Sequence, residues 1–239
     1  MSAGSGGASV GRPLVLALPK GRTLKVVAPL LGKAGVAPAG DAKDLLAALD
    51  DKSRALVRKA TFDGPAVSAP IDVLLLKPDD VPTYVEHGTA DLGVCGRDIL
   101  AEREVDVYQP VDLCVGRCRL VVAGRAGTSP EALAARDGRM PRVATKYSRS
   151  AEAHFARRGV QVEVVNVQSS VELAPLTGLA DLIVDLVETG ATLAENGLEV
   201  KEEIAAISTL LIVNRASYKL RRDVLGPLVE AVRAAVTRA

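Results

Sequence analysis

The sequence predicts an α/β protein of two lobes, on three observations. Short apolar runs that suit strands alternate with helix-length amphipathic segments, the pattern of βαβ units. The alternation falls into two βα sets, one before and one after about residue 112. Leu182-Ile183-Val184 is apolar without alternation, as suits a strand buried on both faces of a parallel sheet. The organisation expected is a discontinuous lobe I from 13–112 plus about 208–239, a lobe II from about 113–207, and a cleft between them. Residues 1–12, rich in Gly, Ser and Ala, read as a disordered tail.

The elements follow in order. Leu14 to Leu18 is a strand, ended by Pro19 and the basic turn Lys20-Gly21-Arg22. A helix from about Thr23 to Lys33 contains Pro29, which should kink or shorten it. Asp44 to Val57 has helical spacing, and Gly64-Pro65 and Ala69-Pro70 bound a loop. Ile71 to Leu76 is a buried strand, after which Asp79 or Asp80 caps a helix from Val81 to Gly88. Leu92 to Cys95 is a strand with a short helix after Gly96-Arg97-Asp98, completing a parallel α/β layer. Asp106 to Val111 and Arg117 to Ala123 are strands, and Ser129-Pro130-Glu131 starts a helix. Arg142 to Thr145 is a strand, Ala151 to Arg158 a helix ended by Gly159, and Val160 to Val165 a strand. Ser169 to Glu172 reads as a capping box for a helix reaching about Thr177. Glu199 to Ile204 and Thr209 to Val213 are strands, the latter recrossing to the first layer. From Asp223, the stripe Leu225, Leu228, Val229, Val232 and Val236 marks an amphipathic helix.

Composition excludes several classes of function. Aromatics are 3% with no Trp, which leaves little for stacking bases, and the net charge of +1 gives no field to attract nucleic acid or an anionic membrane. No apolar run approaches a membrane span, and the N-terminus lacks the apolar core of a signal peptide. Cys95, Cys114 and Cys118 have no second Cys/His pair to complete a zinc set, and read as reduced core or near-core thiols of a cytoplasmic protein. His87 and His154 read as structural.

The most informative stretch is Asp181 to Leu193. It reads as strand, acidic turn, small-residue loop and helix start. Gly190 lets the backbone come close to a ligand, and Thr189, Ala191 and Thr192 add backbone N–H groups and hydroxyls, which suit a phosphate. Asp185 and Glu188 would repel that phosphate, so they suit a different role, gripping sugar hydroxyls directly or through a divalent cation. A phosphorylated ribose satisfies both halves; a capped strand-to-helix turn is the plainer reading. Lys20, Gly21 and Arg22 follow the first strand, the edge of an α/β sheet where ligands bind.

These residues belong to an ordered series of motifs. Leu16-Ala17-Leu18-Pro19-Lys20-Gly21-Arg22 is followed by Asp80-Val81-Pro82-Thr83-Tyr84-Val85-Glu86-His87-Gly88 and Ala90-Asp91-Leu92-Gly93-Val94-Cys95-Gly96. Arg142 to Tyr147, Val171 to Pro175, Gly178 to Asp181 and Ile212 to Lys219 complete it. The series resembles the catalytic subunit of ATP phosphoribosyltransferase, in its short form, over nearly everything from Leu14 to Leu220. The resemblance implies a two-lobed, type II periplasmic-binding-protein-like fold. It also implies a glycosyltransferase that joins N1 of ATP to phosphoribosyl pyrophosphate with Mg²⁺, releasing pyrophosphate, at the first step of histidine biosynthesis. Short forms pair with a regulatory subunit similar to histidyl-tRNA synthetase, so a homodimer within a hetero-oligomer is expected, with no nucleic acid and no membrane.

On that resemblance Asp185, Glu188, Thr189, Gly190, Ala191 and Thr192 would hold phosphoribosyl pyrophosphate, with Asp185 and Glu188 as Mg²⁺ ligands. Lys20, Arg22 and Arg54 would meet pyrophosphate and the ATP phosphates, Arg by bidentate contact and Lys as a point charge. Arg54 enters through Ser53-Arg54-Ala55-Leu56, beside a segment at 55–76 longer than the family's usual one, with 55–70 open as an interface or a lid. Gly21, Asp91, Lys146 and Glu172 would line the ATP side; a structural turn at Asp91 and the capping box at Glu172 are the competing readings. Two rival classes stand beside this one. A ligand-binding module of the periplasmic-binding-protein class would not need the acid pair. Rossmann-like phosphoribosyltransferases usually have adjacent acids, whereas Leu186 and Val187 separate these.

Overall fold

The strand Leu14–Pro19 (β1) has five of six residues buried, and the first sheet is built around it. The computed structural model describes residues 12–39, 44–49, 57–136 and 139–238. The chain divides into two units. One runs through Val94 and takes up Val107–Val111 and the chain from Leu211; the other comprises Cys95–Asp106 and Asp112–Leu210. The helix after Leu92–Gly96 therefore falls in the second unit, inside the range the sequence assigns to lobe I.

In the first unit, β1 leads into α1 (Arg22–Lys33), which buries Leu24, Val27, Ala28, Leu30 and Leu31 along one stripe. Pro29 does not end α1; it lies on the exposed side, where water can take the carbonyl it frees. Then come β2 (Val36–Pro38), α2 (Leu45–Leu49), β3 (Val57–Asp63), β4 (Ser68–Leu76), α3 (Val81–Glu86) and β5 (Leu92–Gly96). α4 (Arg97–Arg103) belongs to the second unit, and β6 (Tyr108–Asp112) returns.

Three expectations fail here. Val57 starts a strand, not the end of a helix, and residues 57–70 lie in an antiparallel β3–β4 hairpin, whose turn from Gly64 to Val67 is what remains of the expected loop. The layer is accordingly mixed: β1 pairs in parallel with β4 and β5, while β2, β3 and β4 pair antiparallel. Neither Asp79 nor Asp80 caps α3 through its side chain; Pro78–Asp80 forms a 3₁₀ turn instead.

The second unit continues with β7 (Cys118–Arg125), α5 (Pro130–Arg136), β8 (Arg142–Thr145), α6 (Ser148–Arg157), β9 (Glu163–Asn166), α7 (Leu173–Thr177), β10 (Leu182–Val187), α8 (Ala191–Glu195) and β11 (Leu198–Ile207). Ser129 does cap α5, accepting from the Ala132 N–H at 3.0 Å. The capping box at Ser169 to Glu172 does not form: α7 starts only at Leu173, and no side chain caps it. The chain ends with β12 (Thr209–Val213), α9 (Arg215–Leu220) and α10 (Arg222–Thr237). β12 joins the first sheet, ordered β2-β3-β4-β1-β5-β12-β6.

The second sheet has the order β11-β7-β10-β8-β9. β10 runs antiparallel to β7 and parallel to β8. Its residues alternate between two cores: Ile183 and Val187 pack with Val121, Val171 and Leu193, while Leu182 and Val184 pack with Val122, Tyr147 and Phe155. Cover on both faces is why this strand reads as an unbroken apolar run. Among the described residues no helix is long and apolar enough to cross a membrane.

Candidate active site

Asp185 lies inside β10 rather than after it, on the face of Ile183 and Val187. The Leu186 N–H donates to its carboxylate at 2.8 Å. Burial, foremost, raises this carboxyl above its ordinary value; the Glu172 charge adds to the rise, while the Leu186 N–H and Lys146 oppose it. Lys146 and Glu172 are thus brought into the electrostatic reach of Asp185. Lys146 directly follows β8, the parallel neighbour of β10, and its ammonium stands 4.7 Å from the centre of the Tyr147 ring. Glu172, freed from the capping box, is half-buried just before α7.

Beyond β10 the chain exposes Glu188 and Thr189, then turns at Gly190 into α8. Gly190 has φ 85 and ψ 0, a left-handed conformation that an L side chain would strain. The Ala191 N–H points to the Thr189 hydroxyl at 3.4 Å, and Ala191 and Thr192 are exposed. An exposed loop of hydroxyls and amide groups thus follows a half-buried carboxylate.

Sequence reasoning missed the second layer of this site. The Tyr147 hydroxyl donates to the buried Asp98 at 2.9 Å, and Thr145, fully buried, closes β8 beside Val184. Cys118 lies near enough to be influenced by Asp98, Glu188 and Asp185, and burial first, then these charges, pushes its thiol up. Burial and Asp98 push the Cys95 thiol up to about 12. The third cysteine departs from expectation: Cys114 is exposed, not near-core, on a turn with φ 56. Position in Thr145-Lys146-Tyr147, at a strand end, was the available signal for the first two residues; Asp98 had none beyond Gly96-Arg97-Asp98.

The other expected residues lie in the first unit. Lys20 and Arg22 are exposed at the carboxyl end of β1 and the start of α1, with Gly21 at φ 84 and ψ −140 between them, a backbone conformation that favours glycine. Asp91 is fully buried. Arg12 donates to it at 2.8 Å, the Val15 N–H at 2.9 Å, the Ser217 hydroxyl at 2.8 Å and Arg221 at 3.2 Å. These partners are what the structural reading of Asp91 calls for. Arg54 and Ser53 lie outside the described residues, as do residues 1–11 of the expected tail.

A family model described as HisG: ATP phosphoribosyltransferase matches residues 77–234. An ATP phosphoribosyltransferase of Sorangium cellulosum is 54% identical over 228 residues, covering 95% of this chain and 98% of that protein. One from Halorhodospira halophila is 48% identical over 225 residues, covering 94% and 96%. Among solved structures, an ATP phosphoribosyl transferase (HisG:HisZ) complex from Thermotoga maritima matches with a TM-score of 0.74 at 34% identity, covering 95% of this chain and 100% of the matched chain. The VFT2 domain of Bordetella pertussis BvgS matches with a TM-score of 0.52 at 15% identity, covering 94% and 92%, and shares the fold alone. The fold is therefore that of the type II periplasmic-binding class. Within it, this chain belongs to the ATP phosphoribosyltransferase family.

Proposed function

We propose that the chain condenses ATP, through N1, with phosphoribosyl pyrophosphate to give phosphoribosyl-ATP and pyrophosphate, opening histidine biosynthesis in the cytoplasm. The observation that carries the site assignment is Asp185: a half-buried carboxylate of raised pKa, within reach of Lys146 and Glu172 and three residues before the Glu188 to Thr192 loop. A carboxylate held out of water can meet ribose hydroxyls and the positive charge that grows on the ribosyl carbon as pyrophosphate leaves. The loop Thr189, Gly190, Ala191 and Thr192 takes the 5′-phosphate through N–H and hydroxyl donors. Lys146 and Glu172 face the ATP side, with Gly21. Lys20, Arg22 and Arg54 contact phosphates of the leaving group and of ATP. Asp91 has no direct part in this reading.

The donor set fits magnesium. Asp185 and Glu188 offer hard oxygen donors, and Mg²⁺ usually takes one or two carboxylates and completes its shell with substrate phosphates and water. Among the described residues no group of three or more His, Cys, Asp or Glu is arranged to hold a metal, so substrate oxygens are part of the site on this reading. A magnesium ion held by Asp185 and Glu188 would supply positive charge against that of the pyrophosphate. The chain's own residues orient the two substrates.

The Thermotoga maritima relative is a HisG:HisZ complex. We infer that this chain also works as a dimer within a hetero-oligomer with a histidyl-tRNA-synthetase-like regulatory subunit. The test is absorbance of phosphoribosyl-ATP from the purified chain with ATP, phosphoribosyl pyrophosphate and Mg²⁺, alone and with that subunit. Signal requiring all three reactants is expected; silence in both formats would favour a non-catalytic binding module.

A further inference from the structure

We propose that the hydroxyl of Thr145 is a positioning group for phosphoribosyl pyrophosphate, setting the spacing between Lys146 and Asp185; this rests on the proposed function of that site. Thr145 is the last residue of β8 and is 0% exposed. Its hydroxyl donates to the Val184 carbonyl at 2.6 Å and accepts the Tyr147 N–H at 2.8 Å. Val184 immediately precedes Asp185, and Tyr147 immediately follows Lys146. One side-chain oxygen therefore ties together the two backbone segments that carry the charged pair.

The strand ladder explains why a side chain is used for this. β8 and β10 pair at Val143 with Leu182 and at Ala144 with Ile183, and the pairing stops there. One step further on, the Thr145 hydroxyl takes the Val184 carbonyl in place of a backbone donor. The backbone of Thr145 stays with β9, paired with Asn166 and accepting the Val167 N–H at 3.0 Å. The turn at Lys146 can thus leave the sheet while its distance from β10 remains fixed. Valine would fill the same space yet leave the Val184 carbonyl and the Tyr147 N–H without this partner. A misplacement of about 1 Å in a substrate-holding group can cost about 100-fold in rate.

The test compares Thr145→Val, Thr145→Ser and Asp185→Asn in the full chain, assayed with its regulatory subunit. Thr145→Val should raise the KM for phosphoribosyl pyrophosphate, held by Asp185, about tenfold and that for ATP, met by Lys146, by a smaller factor of about threefold. Thr145→Ser should return to within about threefold of the wild type, because it keeps the hydroxyl. If Thr145→Val does not fold by circular dichroism, Thr145→Ala is read by the same criteria. An unchanged KM, an equal rise for both substrates, or a serine variant as impaired as valine overturns the inference. Asp185→Asn separates the two levels. If it leaves phosphoribosyl pyrophosphate binding intact, the site reading fails; if it damages binding while Thr145→Val does not, only the role of Thr145 fails.

Discussion

The Tyr147 hydroxyl donates a 2.9 Å hydrogen bond to Asp98, a carboxylate only 7% exposed. Asp98 sits in the first turn of α4, and one helical turn further on Glu102 accepts the Arg149 and Ser150 N–H groups at 2.8 and 3.0 Å. α4 therefore grips the chain on both sides of the α6 start, directly after Lys146. Burial first, then the Asp98 charge, drives the Tyr147 phenol above its ordinary range, so it remains a donor throughout the working pH range. Tyr147→Phe keeps the ring beside Lys146 but strips Asp98 of this donor. Loss of about 1–3 kcal/mol is expected from urea unfolding, as for a buried acceptor deprived of its partner. An unchanged midpoint would mean that water or another donor replaces the hydroxyl at no cost.

Asp91 makes a stronger claim on stability. Two arginines, a serine hydroxyl and a backbone N–H converge on one carboxylate with no exposed surface. Asp91→Ala would leave Arg221, whose side chain is 19% exposed, without its charge partner. The expected loss is about 3–5 kcal/mol, the scale for breaking a buried pair. Thermal unfolding with and without ATP separates this from a substrate role: a variant that folds but has lost only its ATP-dependent shift would restore Asp91 to the ATP site.

How much was legible follows from how local each signal is. β1, β10 and α10 announce themselves because apolar runs and stripes are written in consecutive residues. β3 did not, because it is a one-sided strand: Ala60 and Phe62 are buried, whereas Val57 and Asp63 are exposed. The leucines at 45, 46, 49 and 56 then drew the helix too far. α9 passed unnoticed although Asn214 caps it, accepting the Ser217 N–H at 2.8 Å. In the site, Asp185 and the Thr-Gly loop share one stretch and could be read together. Thr145 meets its partner on β10 from 39 residues away and Tyr147 meets Asp98 from 49, so only strand pairing and helix packing reveal them.

Asp185→Asn should separate activity from stability. A carboxyl whose pKa is raised on folding opposes the folded state at any pH above that raised value, where it must be held charged against burial. The cost disappears below the unfolded value of about 3.9. Asparagine removes the charge and keeps an oxygen for the Leu186 N–H. The urea midpoint at pH 7.5 should therefore rise, the gain fading toward about pH 4, while turnover falls about 100-fold or more. A variant less stable than wild type at pH 7.5 would contradict the burial argument.

Asp181, just before the same strand, should show the opposite pH dependence. Arg139 donates to both of its oxygens at 2.9 and 2.8 Å, and the Arg142 N–H at 2.8 Å. The Arg139 hydrogen bonds, foremost, hold its carboxyl below the ordinary value, against the effect of burial. A lowered folded pKa means that the unfolded chain takes up a proton first as pH falls. Its stabilisation is complete above the unfolded value of about 3.9 and is lost as pH drops from there through the folded pKa. Asp181→Asn should therefore lower the urea midpoint at pH 6 and flatten its fall below about pH 4, whereas Asp185→Asn raises the midpoint and steepens the fall between pH 7.5 and 4. Matching pH profiles for the two variants would show that neighbouring charges, not the local partners of each carboxylate, govern this strand.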